Sequence, residues 1–274
     1  MVELFEQNRI EIRTRSSKGN QLKWRNGDIW YKADYTGYEG LAEYVISHLL
    51  QHSSLDPKEY VLYDLETIAY KNTTFNGVKS PNFLQEGWQL ITLERLFKNV
   101  YGKSLNELIY TTRDLEKRLE LLVTETERMT GLQYFGQYMA KLLTIDAFFL
   151  NEDRHTHNIA ILVNDRGEYA LCPIFDQGAA LLSDTTMDYP LTEDSRKLYQ
   201  MIDSVKAKTF CPDFLEQLDI AEKLYGRNLS FHFTRKDLDD LLSAVPEEMY
   251  GKAICDRVQT ICLERMRQLG YLFE

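Results

Sequence analysis

One stretch, residues 142–178, constrains this chain more than any other: LLTIDAFFLNEDRHTHNIAILVNDRGEYALCPIFDQG. A mainly apolar run over Leu142–Leu150 reads as the end of a helix and gives way to a polar loop, Asn151–Asn158, with two carboxylates, an arginine, two histidines and an asparagine. Apolar residues return at Ile159–Val163, the chain reverses at Asn164-Asp165-Arg166-Gly167, and a second apolar run spans Tyr169–Phe175. That pattern predicts a β-hairpin. It ends in Phe175-Asp176-Gln177-Gly178, where a glycine lets the backbone bend tightly beside a further carboxylate. A helix therefore delivers one polar loop, and a β-ribbon carries another acid back towards it.

Groups of this kind suit phosphoryl transfer, in which the protein mainly positions the nucleophile and neutralises charge. Asp153 and Asn158 have the separation of the Asp and Asn in the kinase pattern H-R-D-L-x-x-x-N. One Asp would orient or deprotonate a hydroxyl, while Asn158 and Asp176 would hold magnesium, a hard cation that needs few protein oxygens when phosphates and water fill its shell. Alone, an Asp-Arg-His is most often a surface loop and a Phe-Asp-x-Gly a turn. Here the two occur in order, joined by a ribbon.

The order Asp153-Arg154-His155-x-x-Asn158 resembles the D-R-H-x-x-N loop shared by the phosphoinositide-kinase-like superfamily and the bacterial HipA-like serine/threonine kinases. In the eukaryotic protein-kinase loop the histidine comes first. The surrounding text, IDAFFLNEDRH and CPIFDQG, is most similar to the HipA-like family. The resemblance implies an α+β bilobal protein-kinase-like fold, with a strand-rich N-lobe over residues 1–93 and a mainly helical C-lobe over 94–274. It implies ATP and Mg2+ as cofactors, Asp153 as base, Asn158 and Asp176 as metal ligands, and Arg154 and His155 bracing the loop or meeting the γ-phosphate. It further implies a protein substrate with a Ser or Thr acceptor, autophosphorylation at Ser16 or Ser17, and an antitoxin-like protein partner of the kind found in toxin–antitoxin pairs. Full-length members carry an extra N-terminal subdomain; the expectation here is that the chain starts almost directly at the kinase strands.

Towards the N-terminus, loose alternation over Leu4–Thr14 suggests an edge strand, interrupted at Ser16-Ser17-Lys18-Gly19-Asn20. Gln21–Trp24 and Asp28–Ala33 read as a hairpin around Asn26-Gly27. Strand, small polar loop, strand is where a kinase covers the nucleotide phosphates, so Ser16, Ser17, Lys18 and Gly19 are candidate phosphate contacts. Lys32 ends the next strand, at the place of the lysine that meets the α- and β-phosphates. Leu41, Tyr44, Val45, His48 and Leu49 then follow helical spacing. Glu39 and Glu43 share one face of that helix, and either could pair with Lys32; distance from the helix start favours Glu39. Residues 60–72 read as a strand, Asn72–Pro81 as turn residues, and Gln85–Leu93 as the crossing between lobes. Helices are expected over Leu105–Tyr110, Asp114–Met129, Leu132–Phe149, Asp194–Val205, Asp213–Leu224, Thr234–Ala244 and Glu247–Leu269, with an irregular segment over Ala179–Asp194.

Charge narrows the partners. Thirty-two basic against 42 acidic residues leave a net charge of −10, which repels phosphate backbones and anionic bilayers. Direct binding to nucleic acid or to a membrane is therefore not expected, and a lipid or small-molecule kinase becomes the second reading. No apolar run is long enough for a membrane helix or the core of a signal peptide, so a cytoplasmic protein is expected. Cys172, Cys211, Cys255 and Cys262 show no C-x-x-C spacing and read as reduced thiols. The pairs His155/His157 and His48/His52 raise a zinc-dependent hydrolase as a third reading, one that lacks a clear third and fourth ligand.

Overall fold

The computed structural model of the protein describes residues 1–10 and 21–273. The predicted phosphate loop at Ser16, Ser17, Lys18 and Gly19 lies outside the described residues. Val2–Glu3 (β1), Lys23–Asn26 (β2), Ile29–Ala33 (β3), Asp64–Tyr70 (β4) and Thr73–Pro81 (β5) form one sheet in the order β1-β4-β5-β3-β2. Strands β2 and β3 pair around Gly27-Asp28, one residue later than the Asn26-Gly27 turn expected, with Gly27 at φ +61°. Glycine adopts that left-handed conformation without a side-chain clash.

Two expectations for this region are corrected. Asn72–Pro81 is largely strand β5, in the middle of the sheet, and the turn is Lys71-Asn72, both at positive φ. Asn76-Gly77 mimics a turn signal because a side chain cannot fit there: a Cβ on Gly77 would lie 2.1 Å from the Lys32 carbonyl oxygen of β3. The edge strand expected over Leu4–Thr14 lies partly outside the described residues; the described part, Leu4 to Ile10, follows β1 with a 3₁₀ turn over Glu6–Asn8 and a bridge from Arg9 to Trp24. Leu4 instead plugs a small core with Trp24, Tyr31, Ile68 and Tyr70.

Glu39–Leu50 (α1) lies beside this sheet, and its buried Leu41, Ala42, Val45, Ile46 and Leu49 join the main core that the C-terminal helices build, as an apolar stripe of helical period requires. Trp88–Thr92 (β6), Ala160–Asn164 (β7) and Tyr169–Leu171 (β8) make a second sheet in the order β6-β7-β8. Strand β8 stops short of the expected Phe175, because Ile174 leaves it to bridge Tyr60.

The remaining helices are Leu93–Tyr101 (α2), Leu105–Thr111 (α3), Leu115–Thr130 (α4), Phe135–Phe149 (α5), Ser195–Ser204 (α6), Phe214–Tyr225 (α7), Arg235–Ser243 (α8) and Lys252–Gln268 (α9). Side chains of Thr92, Ser104, Asp114, Asp194, Asp213 and Thr234 cap six of them, each satisfying amide groups that would otherwise lack partners. Helix α9 starts at Lys252 rather than Glu247, after a turn through Pro246–Gly251. Helix α5 is buried almost all round, and Phe148 and Phe149 at its end stack among Phe231, Phe233 and Phe273. Its C-cap, Leu150, is left-handed at φ +57°. That turn starts the polar loop from a rigid base.

Asp34, between β3 and α1, accepts hydrogen bonds from the Gly40 amide (2.5 Å) and from the Tyr250 hydroxyl (2.6 Å) just before α9. Burial, reinforced by Glu39, pushes this carboxyl up to about 7, although the Tyr250 and Gly40 bonds pull the other way. In the unfolded chain an Asp titrates near ~3.9. The folded state thus holds an extra proton between about pH 4 and 7, and stability falls as pH rises through that window. Asp34→Asn keeps an acceptor for Gly40 and removes the ionisation, so its melting temperature relative to the parent should be higher at pH 8 than at pH 5. A difference of about 1–2 kcal/mol is expected; equal shifts at both pH values would refute it.

Candidate active site

The polar loop after α5 is built on a buried ion pair. Arg154 reaches Asp146 of α5 with Nε at 3.0 Å from Oδ2, and both residues are almost wholly buried. The same guanidinium donates to the main-chain oxygens of Asn158 (3.1 Å), Phe175 (3.1 Å) and Asp176 (3.4 Å). A planar donor fork can hold several acceptors at fixed angles. Arg154 thereby ties both ends of the Asp153–Asn158 segment to the end of the ribbon, and of the two roles the resemblance allowed it, the geometry supports bracing. Asn151 adds a second tie, its amide nitrogen donating to Asp146 (3.1 Å) and Gln177 (2.9 Å).

Asp153 sits on this base. Its carboxylate accepts from the Asn158 side-chain amide at 3.2 Å, and the same amide donates to the Asp153 carbonyl at 2.7 Å. His155 Nε2 and Lys208 Nζ each approach Asp153 Oδ1 to 3.6 Å. Burial pushes His155 below its ordinary value, against the pull of Asp153 and with help from His157. The imidazole is therefore neutral at pH 7.

Asp176 stands at φ +65°. The bend expected of Gly178 is thus made by the acid itself, and Gly178 packs beside Glu39 of α1 with room for ordinary van der Waals contact. Lys32 donates to Asp176 at 2.8 Å and to Glu43 at 2.5 Å. The second Glu43 oxygen accepts from the Gln177 amide at 3.1 Å. One buried glutamate thereby joins β3, α1 and the ribbon end. The preference for Glu39 as the partner of Lys32 is corrected: Glu39 turns to the N-terminal side of α1 and accepts from the Thr36 amide (2.7 Å) and the Tyr35 and Gly37 amides (3.2 Å each). One helical turn separates the two acids, and the sheet meets α1 at the second.

Besides Asp146, Asn151 and Gln177, further neighbours of the site among the described residues were not found from the sequence. Lys23, directly opposite Lys32 across β2 and β3, places its ammonium 3.6 Å from Asp176. Tyr63 accepts from Lys32 at 3.3 Å, and Lys208 comes from the loop after α6. Lys23 alone had a readable signal, the hairpin register. Burial works to raise the Asp176 carboxyl, but Lys23, Lys32 and Arg154 hold it far below the usual carboxylate range. Burial likewise opposes the charge on Lys32, and Asp176 and Glu43 override it, holding the ammonium well above its ordinary value. Both groups are ionised at neutral pH.

Among the described residues, no three or more His, Cys, Asp or Glu side chains are grouped to hold a metal ion, as a zinc hydrolase would require. His48 instead lies against the Tyr44 ring, 4.3 Å between centroids. The four cysteines are free thiols, three of them buried, and among the described residues no helix is long and apolar enough to cross a membrane.

No family model matches this chain, and no curated protein matches it by sequence. Among solved structures, it is similar to the proinflammatory kinase CtkA of Helicobacter pylori, with a TM-score of 0.62 and 15% identity over 94% of this chain and 91% of that one. HipA of Shewanella oneidensis, solved with HipB and its operator DNA, overlays with a TM-score of 0.45 and 12% identity over 96% of this chain and 67% of that one. The chain has a kinase-like α/β fold, a strand-rich N-lobe beside a helical C-lobe, of the kind seen in CtkA.

Proposed function

We propose that this protein is an ATP- and Mg2+-dependent phosphotransferase that acts on Ser or Thr hydroxyls of protein. One observation carries the reading: Lys32 and Glu43 meet Asp176, 144 residues beyond Lys32, in a single largely buried network, which is the arrangement a kinase needs before it can hold a triphosphate. Lobes over residues 1–93 and 94–274 belong to the same proposal, with the nucleotide in the cleft between them.

The donor set fits magnesium. Asn158 uses its amide nitrogen on Asp153, which leaves its amide oxygen for a cation, and Asp176 supplies an ionised carboxylate. With phosphate oxygens these two suffice for a hard octahedral ion. Magnesium bound there would neutralise charge on the β- and γ-phosphates. Lys32 and Lys23 offer ammonium groups to the same tail. Asp153, held by Asn158, orients the acceptor hydroxyl and takes its proton. Arg154 keeps the two loops at a fixed separation, and neutral His155 braces Asp153. Autophosphorylation at Ser16 or Ser17 and an antitoxin-like protein partner enter as extensions implied by the resemblance.

The test is transfer from γ-32P-labelled ATP with Mg2+, offering casein and phosphatidylinositol vesicles as acceptors. Label should enter protein on Ser or Thr, and Asp153→Asn should lower the rate by about 100-fold, the scale of a lost general base. Label in lipid alone would favour the second reading, and no label in any acceptor would refute both.

A further inference from the structure

One cation beside the proposed base comes from outside both recognised loops. Lys208 lies in the segment between α6 and α7, some fifty residues beyond Asp153, and its Nζ is 3.6 Å from Asp153 Oδ1. The backbone beneath it is pinned. Its own carbonyl accepts from the Tyr110 hydroxyl at 2.8 Å. Its neighbour Thr209, buried, donates to the Arg154 carbonyl of the catalytic loop at 2.9 Å. Arg118 holds the Phe210 carbonyl at 2.8 Å, and the Ala207 amide donates to Pro212 at 3.1 Å. Only the side chain of Lys208 reaches out, with 39% exposure, so its ammonium can exchange a water for a substrate oxygen while its root stays fixed.

Asp153 has two oxygens with different neighbours. Oδ2 accepts from Asn158, and Oδ1 faces both the His155 ring and the Lys208 ammonium, each at 3.6 Å. A hydroxyl that approaches Oδ1 therefore comes to rest beside an ammonium group. In a chain with net charge −10, this ammonium on a pinned backbone puts positive charge where a transferring phosphoryl group gathers negative charge. We infer that Lys208 is a catalytic residue of the transfer reaction, donating to an oxygen of the γ-phosphoryl group as it passes to the acceptor.

This inference rests on the phosphotransferase reading. In the step, the acceptor hydroxyl oxygen forms a bond to the γ-phosphorus while the bond from that phosphorus to the β,γ-bridging oxygen breaks. The electron pair leaves with ADP, and the hydroxyl proton passes to the Asp153 carboxylate. Lys208 keeps its protons throughout and stabilises the equatorial phosphoryl oxygens. Donors aimed at such charge are worth most in the transition state. Lys23 and Lys32, near Asp176, are left to hold the rest of the tail.

Lys208→Met removes the charge and keeps the length of the side chain; Lys208→Arg keeps the charge. With wild type and Asp153→Asn alongside, three quantities separate the roles: kcat with labelled ATP and casein, affinity for ADP, and affinity for ADP–aluminium fluoride with Mg2+, an anionic mimic of the transferring phosphoryl. Lys208→Met should lower kcat by about 100-fold, weaken the fluoride complex by about tenfold or more and leave ADP affinity within about twofold. Lys208→Arg should recover most of both losses. If Lys208→Met matches wild type in kcat and in the fluoride complex while Asp153→Asn is inactive, the role of Lys208 is overturned and the phosphotransferase reading stands. If wild type and Asp153→Asn are equally inactive, that reading fails and the role of Lys208 fails with it. A loss of ADP binding in step with kcat would assign Lys208 to folding or nucleotide capture and overturn the inference too.

Discussion

Asp176→Asn should reduce transfer from ATP by about 10³-fold, equivalent to ~4 kcal/mol of transition-state stabilisation. The substitution keeps the size of the side chain and an oxygen near Lys32, and removes the negative charge that two ammonium groups share and that the proposed divalent cation would need. In the folded protein Lys32 donates to this carboxylate at 2.8 Å and Lys23 lies 3.6 Å away. Without it, two ammonium groups on neighbouring strands lose a shared counter-charge, and Lys32 keeps Glu43 and the Tyr63 hydroxyl as partners. A stability loss of about 2 kcal/mol should therefore accompany the loss of activity. Raising Mg2+ should restore part of kcat, because the variant still offers an amide oxygen. Activity within tenfold of the parent at saturating ATP would remove Asp176 from the proposed metal site.

Arg154→Met should be the most destabilising single change in the polar loop after α5, at about 3–5 kcal/mol, because it strands the buried Asp146 carboxylate without its counter-charge. The Asp146–Arg154 pair is only about 2% exposed on each side. Burial already pushes the Asp146 carboxyl up against the pull of Arg154, so without arginine this acid must take up a proton or bring water with it. The main-chain oxygens of Asn158, Phe175 and Asp176 lose a donor at the same time. A drop in melting temperature of about 10 °C is expected. Asp146→Leu in the same chain should recover part of that stability by removing the orphaned charge, while activity stays low because the two loops are no longer tied. A double variant as unstable as Arg154→Met, or a single variant within 2 °C or so of the parent, would show that the pair does not hold the loop.

Much of this site was legible because its parts are local in sequence. Asp153 and Asn158 belong to one loop, and the ribbon that returns Asp176 is a hairpin whose turn, Asn164-Asp165-Arg166-Gly167, is visible in the residues. Most helices were equally readable, since apolar period and capping residues are local properties, but α2 over Leu93–Tyr101 was not among those expected and α9 starts later than expected. Two failures have local causes as well. Strand β5 was hidden by Asn76-Gly77, a pair that signals a turn but serves a close approach of strands. Setting the first hairpin turn one residue early would place Gln21, not Lys23, opposite Lys32; the true loop, Gly27-Asp28, puts the two lysines in register.

By itself, the sequence determined the alphabet of the site: an acid and an amide on one loop, an acid at the end of a ribbon, a lysine on a strand, and a helix with two glutamates to choose from. Tertiary structure alone decided which of them meet. Lys32 and Asp176 touch across 144 residues, Glu43 takes the place that helix position had assigned to Glu39, and Lys208 arrives at Asp153 from a loop with no motif of its own. The physical reason is that periodicity and turn chemistry act over a few residues, whereas a side chain's partner depends on how whole layers pack. Shifting α1 by one turn against its sheet would exchange its glutamates without altering any local pattern.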